Sequence, residues 1–316
     1  MRKVPMRSAG CWSIWRAALA VSIASSVAAC AGRPTQEAIA TYSAALDTTS
    51  TSARQGLFEI QKRELATINA KNANAILSAK PGNAHVELEA KNEIVTNDVL
   101  KPRLEFFVAL SDYASALAAA ASPEQATSVK VKIEEAGKAF GALGVAIRGD
   151  AANFPAEKVN SAATAFASIA AILVDAKLNH EIPKIVSSTH ENLKAGVEAF
   201  KADLGDPSAG GFRALMNDAT KRLVGQETIL IGTFAQDVKS IGKPRLHDEI
   251  RESQGRIQAL GNADMLLTSL VPALDEMLEA HEALRTPSVE TTLSQVNLFL
   301  DRAEDLREAV NTFRAK

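Results

Sequence analysis

Apolar residues recur along this chain at steps of three and four, most clearly at its C-terminal end. Val289, Leu293, Val296, Leu300, Ala303, Leu306, Val310 and Phe313 follow that spacing, as do Ile257, Leu260, Leu267, Val271, Leu274 and Leu278 before them. Only a helix, at 3.6 residues per turn, gathers such positions on one face. A seam kept over this length predicts helices packed lengthwise, as in a coiled coil. Ile39, Tyr42, Leu46, Ala53, Leu57, Ile60 and Ile68 form an earlier stripe, and Val95, Val99, Phe106, Leu110, Tyr113 and Leu117 another. No Asn-Gly or Asp-Gly turn sits between alternating runs, so strand signals are nearly absent.

Proline and glycine punctuate the pattern, and most prolines fall where a helix starts, since the first turn has no use for the missing N–H. The first predicted helix runs from Pro34 to Lys80, closed by Pro81-Gly82, and the second from Ala84 to Ala121 with a kink at Pro102. Ser122-Pro123-Glu124-Gln125 is a start signal, a cap followed by Pro and then Gln, for a third helix ending near Gly149. The fourth runs from Pro155 to Leu204, kinked or broken around Pro183. After the loop Gly205–Gly211 come Phe212 to Gly242, Arg245 to Arg285 with Pro272 inside, and Ser288 to Arg314. At 1.5 Å per residue the longest would reach ~60–70 Å. The expected fold is all-α: an elongated antiparallel bundle of about seven helices with coiled-coil-like packing, forming a single domain over residues 34–316.

The first 29 residues read differently. Residues 1–16 carry Arg2, Lys3, Arg7 and Arg16 and no acid; residues 17–27 are uncharged and mildly apolar; Val27-Ala28-Ala29-Cys30 follows. A basic region, a short apolar region and a small-residue cleavage site make a secretory signal, and the apolar run is far short of the ~20 residues of a membrane-spanning helix. Val27-Ala28-Ala29-Cys30 resembles the lipobox of bacterial lipoproteins, an aliphatic residue and two small ones before cysteine. Ser8-Ala9-Gly10-Cys11 lacks both the aliphatic position and a preceding apolar run. The resemblance, which covers the export signal alone, implies removal of residues 1–29, acylation of Cys30, and a lipidated terminus and short linker over residues 30–33. Two or more acyl chains make such an anchor durable. Ala31 in place of Asp after the cysteine resembles the enteric pattern for sorting to the outer membrane.

Cleavage takes away four basic residues and leaves 31 Lys plus Arg against 37 Asp plus Glu, a formal charge of -6. A mildly acidic chain without a basic block argues against nucleic acid and against electrostatic docking on anionic lipid. Cys30 becomes the one cysteine, so no disulfide framework is expected. Trp12 and Trp15 leave with the signal, and Tyr42 and Tyr113 are the only tyrosines. That scarcity disfavours sugar and base binding, which lean on aromatic stacking.

No catalytic, cofactor or metal constellation emerges. The residues three before His85, His180, His190, His247 and His281 are Gly82, Lys177, Ser187, Pro244 and Leu278, so the Glu-x-x-His pairs of di-iron bundles do not occur. Nor does the two-histidine, one-glutamate zinc protease spacing. His180-Glu181 and His190-Glu191 would share one face of a straight helix, but Pro183 lies between them. His281 falls on an apolar seam near a helix C-terminus, a place that favours imidazolium beside the dipole. Ser240-Ile241-Gly242-Lys243 matches Ser-x-x-Lys, yet the companion motifs of penicillin-binding proteins are missing. Arg148-Gly149-Asp150 spells an adhesion tripeptide between two helices. No small-molecule substrate is evident.

Two further features carry alternatives. Gly137, Gly141 and Gly144 lie along one side of a helix, and Val159 to Val174 is uncharged for sixteen residues. Residues 137–174 either pack closely in the core or resemble the membrane-inserting hairpin of alpha-pore-forming toxins. At the other end, Lys316 resembles the terminal lysine that joins the murein lipoprotein to peptidoglycan, although Ala315 interrupts the Arg-Lys ending of that family. The leading expectation is a non-enzymatic, periplasm-facing lipoprotein, bound to the membrane through acyl chains on Cys30. It would act as a scaffold or adaptor whose helix faces bind protein partners.

Overall fold

The computed structural model describes residues 34–78, 94–122, 126–150, 153–176, 182–208, 210–236, 243–286 and 288–315. They form eight helices and no strand: α1 (Gln36–Ser78), α2 (Asn97–Ala121), α3 (Ala126–Gly149), α4 (Val159–Ala176), α5 (Ile182–Gly205), α6 (Phe212–Gln236), α7 (Lys243–Arg285) and α8 (Val289–Ala315). Alanine, 57 residues of the chain, explains part of this, being the strongest helix former and small enough for close helix approach. Caps fix several starts: Thr35 Oγ1 accepts from Ala38 N at 3.1 Å, and Thr96 Oγ1 from Val99 N at 3.3 Å.

The helical bundle is as expected, with one helix more. The predicted fourth helix, kinked or broken around Pro183, is described as two, α4 and α5, with Pro183 the second residue of α5, where a proline is tolerated, and residues 177–181 outside the described residues. Of the two internal prolines, Pro102 is buried and Pro272 exposed, and both are accommodated by water at the preceding turn. Pro102 and Pro272 each leave a carbonyl four residues back without its amide partner, and those residues, Asp98 and Thr268, are exposed to water.

Successive helices pack in a ring, α1 on α2, α2 on α3, α3 on α4, α4 on α5 and α5 on α7, which returns to α1. α8 lies against both α1 and α7, while α6 rests chiefly on α7. Neighbours are antiparallel: Asp47 of α1 faces Ser111 of α2 while Gln61 faces Asn97, and Lys201 and His190 of α5 face Asp275 and His281 of α7. α1 and α8 run parallel, Tyr42 beside Phe299 and Arg63 beside Phe313. Both 43-residue helices, α1 and α7, are about 65 Å long at 1.5 Å per residue.

A continuous cluster of buried apolar side chains reaches every helix, from Ile39 through Phe106, Phe166, Phe200, Met216 and Leu274 to Phe313. The stripe from Ile39 to Ile68 is buried throughout, as is the one from Val95 to Leu117. Gly196 lets α5 approach α4 so closely that a Cβ there would lie 2.4 Å from the Phe166 ring. Gly137 and Gly144 serve the same end between α3 and α4, with added Cβ atoms 3.5 Å and 3.1 Å from the carbonyl oxygens of Ala170 and Ala163. Small residues on the 137–174 hairpin are therefore used in helix packing, with Phe166 and Ile169 buried. Among the described residues only α2 is long and apolar enough to cross a membrane, and half of that stretch is buried in the bundle.

Candidate functional site

Polar chemistry converges on the interior where α1, α2, α5 and α7 meet. Both tyrosines of the chain and two of its five histidines are there. Each is delivered by the helical period: His281 follows Leu274 and Met277 on the inner face of α7, Tyr113 follows Phe106 and Leu110 on α2, and His190 follows Val186 on α5. The Tyr113 hydroxyl lies 2.9 Å from Thr189 Oγ1 and 2.8 Å from His281 Nε2. His281 Nδ1 lies 3.0 Å from His190 Nδ1, and His190 Nε2 is 3.1 Å from Glu282 Oε2. Arg285 grips both oxygens of Glu282, Nε at 2.6 Å and Nη2 at 2.7 Å. The chain of contacts thus runs from a fully buried threonine to a carboxylate 38% exposed at the surface.

Electrostatics follow from the depth. Burial holds His281 near a pKa of about 3, helped by His190 and Arg285, so the ring is neutral at ordinary pH. This corrects the imidazolium expected from its place near the end of α7. Desolvation outweighs the helix dipole, and Arg285 supplies the cation in the last turn instead. Burial also lowers His190, against the opposing pull of Glu282. Both tyrosines are pushed up by burial. Tyr42 packs its ring on His281 with centroids 5.9 Å apart.

A second buried group lies at one end of the bundle. Arg103, fully buried on α2, donates from Nε and Nη2 to Asp203 of α5 at 2.9 Å and 2.6 Å, and from Nη1 to Asp150 at the end of α3. Nη1 also reaches Val99 O, and Nη2 reaches Asn153 O. Asp203 Oδ1 accepts the Phe212 N–H at 2.9 Å, capping α6 from outside. Burial pushes the Asp203 carboxyl up while Arg103 pulls it down, and burial likewise works against the Arg103 cation, which its two aspartates more than restore. Removing one member of such a cluster strands a buried charge, at a cost of about 3–5 kcal/mol. The cluster fastens α2, α3, α5 and α6 at a common point. Sequence reading missed it, although Arg103 and Asp203 both sit in register with apolar neighbours, Arg103 with Val99 and Phe106 and Asp203 with Ala199 and Phe200, a signal present in the sequence.

The remaining candidates fall as follows. Val27-Ala28-Ala29-Cys30, His85, His180, Ser240 and Lys316 lie outside the described residues. His190 meets His281, and no group of three or more His, Cys, Asp or Glu able to hold a metal ion occurs among the described residues. His247 is exposed beside Arg251. Asp150 of the Arg148-Gly149-Asp150 tripeptide is turned inward to Arg103, which leaves no adhesion motif at the surface. Two open grooves complete the picture. One, of about 370 Å³ between α7 and α8, is floored by Leu266 and Phe313; the other, of about 380 Å³, lies between α1 and α2 beside Phe58. No protein-family model, curated protein or solved structure matches the chain.

Proposed function

We propose that the chain is a lipoprotein of the cell envelope, held by acyl chains on Cys30 at the outer membrane. On this reading it presents a helical bundle to the periplasm as a non-enzymatic scaffold or protein-binding adaptor. The observation that carries the reading is Val27-Ala28-Ala29-Cys30, placed directly after a basic and an apolar region. Three residues, Ala31 to Arg33, separate that cysteine from Pro34, so the bundle would stand close to the bilayer. The fold supports the adaptor part: long parallel-sided helices offer extended faces, and the ionic cluster of Arg103 is sealed inside as a structural fastening. The acidic mature charge leaves the acyl chains as the membrane-binding device.

Metabolic labelling with palmitate and fractionation of the envelope test the anchor. Wild-type protein should take up label and sediment with outer membrane, while Cys30→Ser protein should carry no label and leave the membrane fraction. Equal membrane association of Cys30→Ser protein would overturn the reading, as would uncleaved precursor inside the cell. Crosslinking in intact envelope then identifies the partner.

A further inference from the structure

The chain from Thr189 to Glu282 can satisfy all its hydrogen bonds in two ways, which differ by one proton. In the first, each group donates toward the surface: Thr189 Oγ1–H to Tyr113 Oη, Tyr113 O–H to His281 Nε2, His281 Nδ1–H to His190 Nδ1, and His190 Nε2–H to Glu282. Both histidines are then neutral and no donor is wasted. In the second, His190 is an imidazolium donating in two directions, to Glu282 from Nε2 and to His281 from Nδ1. His281 must then carry its proton on Nε2 and donate to Tyr113, whose O–H turns to Thr189. Thr189 in turn donates to the Ile185 carbonyl oxygen, 2.7 Å away. A mixed order puts two lone pairs or two protons face to face inside the bundle, where an unmet polar group costs about 1–3 kcal/mol.

We propose that this chain is a proton-operated switch, in which uptake of a single proton at the Glu282 end reverses every hydrogen bond from His190 to Thr189 across α5, α7 and α2. The proton has a route, since Glu282 is partly exposed and touches His190 directly. It also has a defined resting place: burial lowers the proton affinity of His190, and Glu282, with Glu191 assisting and Arg285 and Lys194 opposing, is the carboxylate that favours an imidazolium there. His281 accepts no charge in either state, consistent with its position between Tyr113, the Tyr42 ring of α1 and His190. The reversal moves a tautomer in the core without moving a heavy atom. It makes the contact of α5 with α7 and α2 sensitive to the proton concentration outside the bundle.

Nuclear magnetic resonance of the full chain with 15N-labelled histidine reads this directly. Five histidines give five pairs of ring nitrogens, and His190→Gln and His281→Gln assign the two that matter. At pH 7.5 His281 should show the Nδ1–H tautomer. As His190 becomes imidazolium on acidification, His281 should pass to Nε2–H with the same midpoint, helical circular dichroism remaining unchanged. Glu282→Gln, a change at the surface, should lower the proton affinity of His190 at least tenfold while leaving the neutral-pH tautomer in place. A His281 tautomer that stays fixed across the His190 transition would overturn the switch. So would a His190 that binds no proton until the helices melt, or one indifferent to Glu282→Gln.

Discussion

Gly210 and Gly211 are neighbours with nearly the same left-handed backbone, φ +76° and +85°, and opposite surroundings. A Cβ at Gly210 meets nothing within 4 Å, whereas one at Gly211 would lie 2.4 Å from Asp203 Oδ1 and 2.8 Å from Pro155 Cδ. Gly210→Ala should therefore cost only the left-handed penalty, about 1–2 kcal/mol. Gly211→Ala adds overpacking against the Arg103 cluster, a further ~1–3 kcal/mol. Urea denaturation of the two variants measures the difference, and equal losses would mean that Asp203 is not held against the glycine. The sequence marks this segment as a loop, but which glycine is irreplaceable depends on a carboxylate eight residues away in the chain. The same applies to His281: its seam position was readable, whereas the Tyr113 and His190 that keep it neutral come from two other helices.

Elements were far more legible than their partners, because helical periodicity is local and packing is not. Every predicted helix has a counterpart, but the second begins at Asn97 under a Thr96 cap instead of running through 94–96 from Ala84, and the fourth is represented by α4 and α5. The outer half of α6 and the first half of α7 form the least supported element: α6 has α7 as its main neighbour, and its Ile229 is 70% exposed. Gly225 of α6 and Gly255 of α7 are exposed helical positions with nothing within 4 Å of an added Cβ. Alanine at either site should stabilise the protein by about 0.5–1 kcal/mol, since it removes backbone freedom from the unfolded chain without a clash. Hydrogen exchange should show the amides of 222–236 and 247–258 opening faster than those of 103–117, with the alanine variants slowing the former alone. Uniform protection along α2, α6 and α7 would contradict this picture of a loosely held hairpin.

The whole molecule responds to pH through the histidines it buries. The folded pKa of His281 is about 3, below the ~6.5 of an exposed imidazole, so the unfolded chain binds the proton more tightly. Its contribution to stability is complete above pH ~6.5 and is lost as pH falls toward 3, at about 1.4 kcal/mol per pH unit. The lowered pKa of His190 adds to the loss in the same direction over a narrower range. Paired carboxylates such as Glu282, which Arg285 holds below its usual range, begin to contribute only at more acidic pH, and the raised carboxyls of Asp203, Glu105 and Asp112 act in the opposite direction, so a variant that changes His281 alone is needed to isolate the histidine. His281→Gln keeps a hydrogen-bonding side chain between Tyr113 and His190 but cannot titrate. Denaturant unfolding at pH 7.5, 6, 5.25 and 4.5 should give the variant a lower stability at neutral pH and a slope shallower by about 1.4 kcal/mol per unit over the interval from 6 to 4.5. Parallel slopes for the two proteins would mean that His281 takes up its proton in the folded bundle, which its complete burial among Tyr42, Tyr113 and His190 opposes.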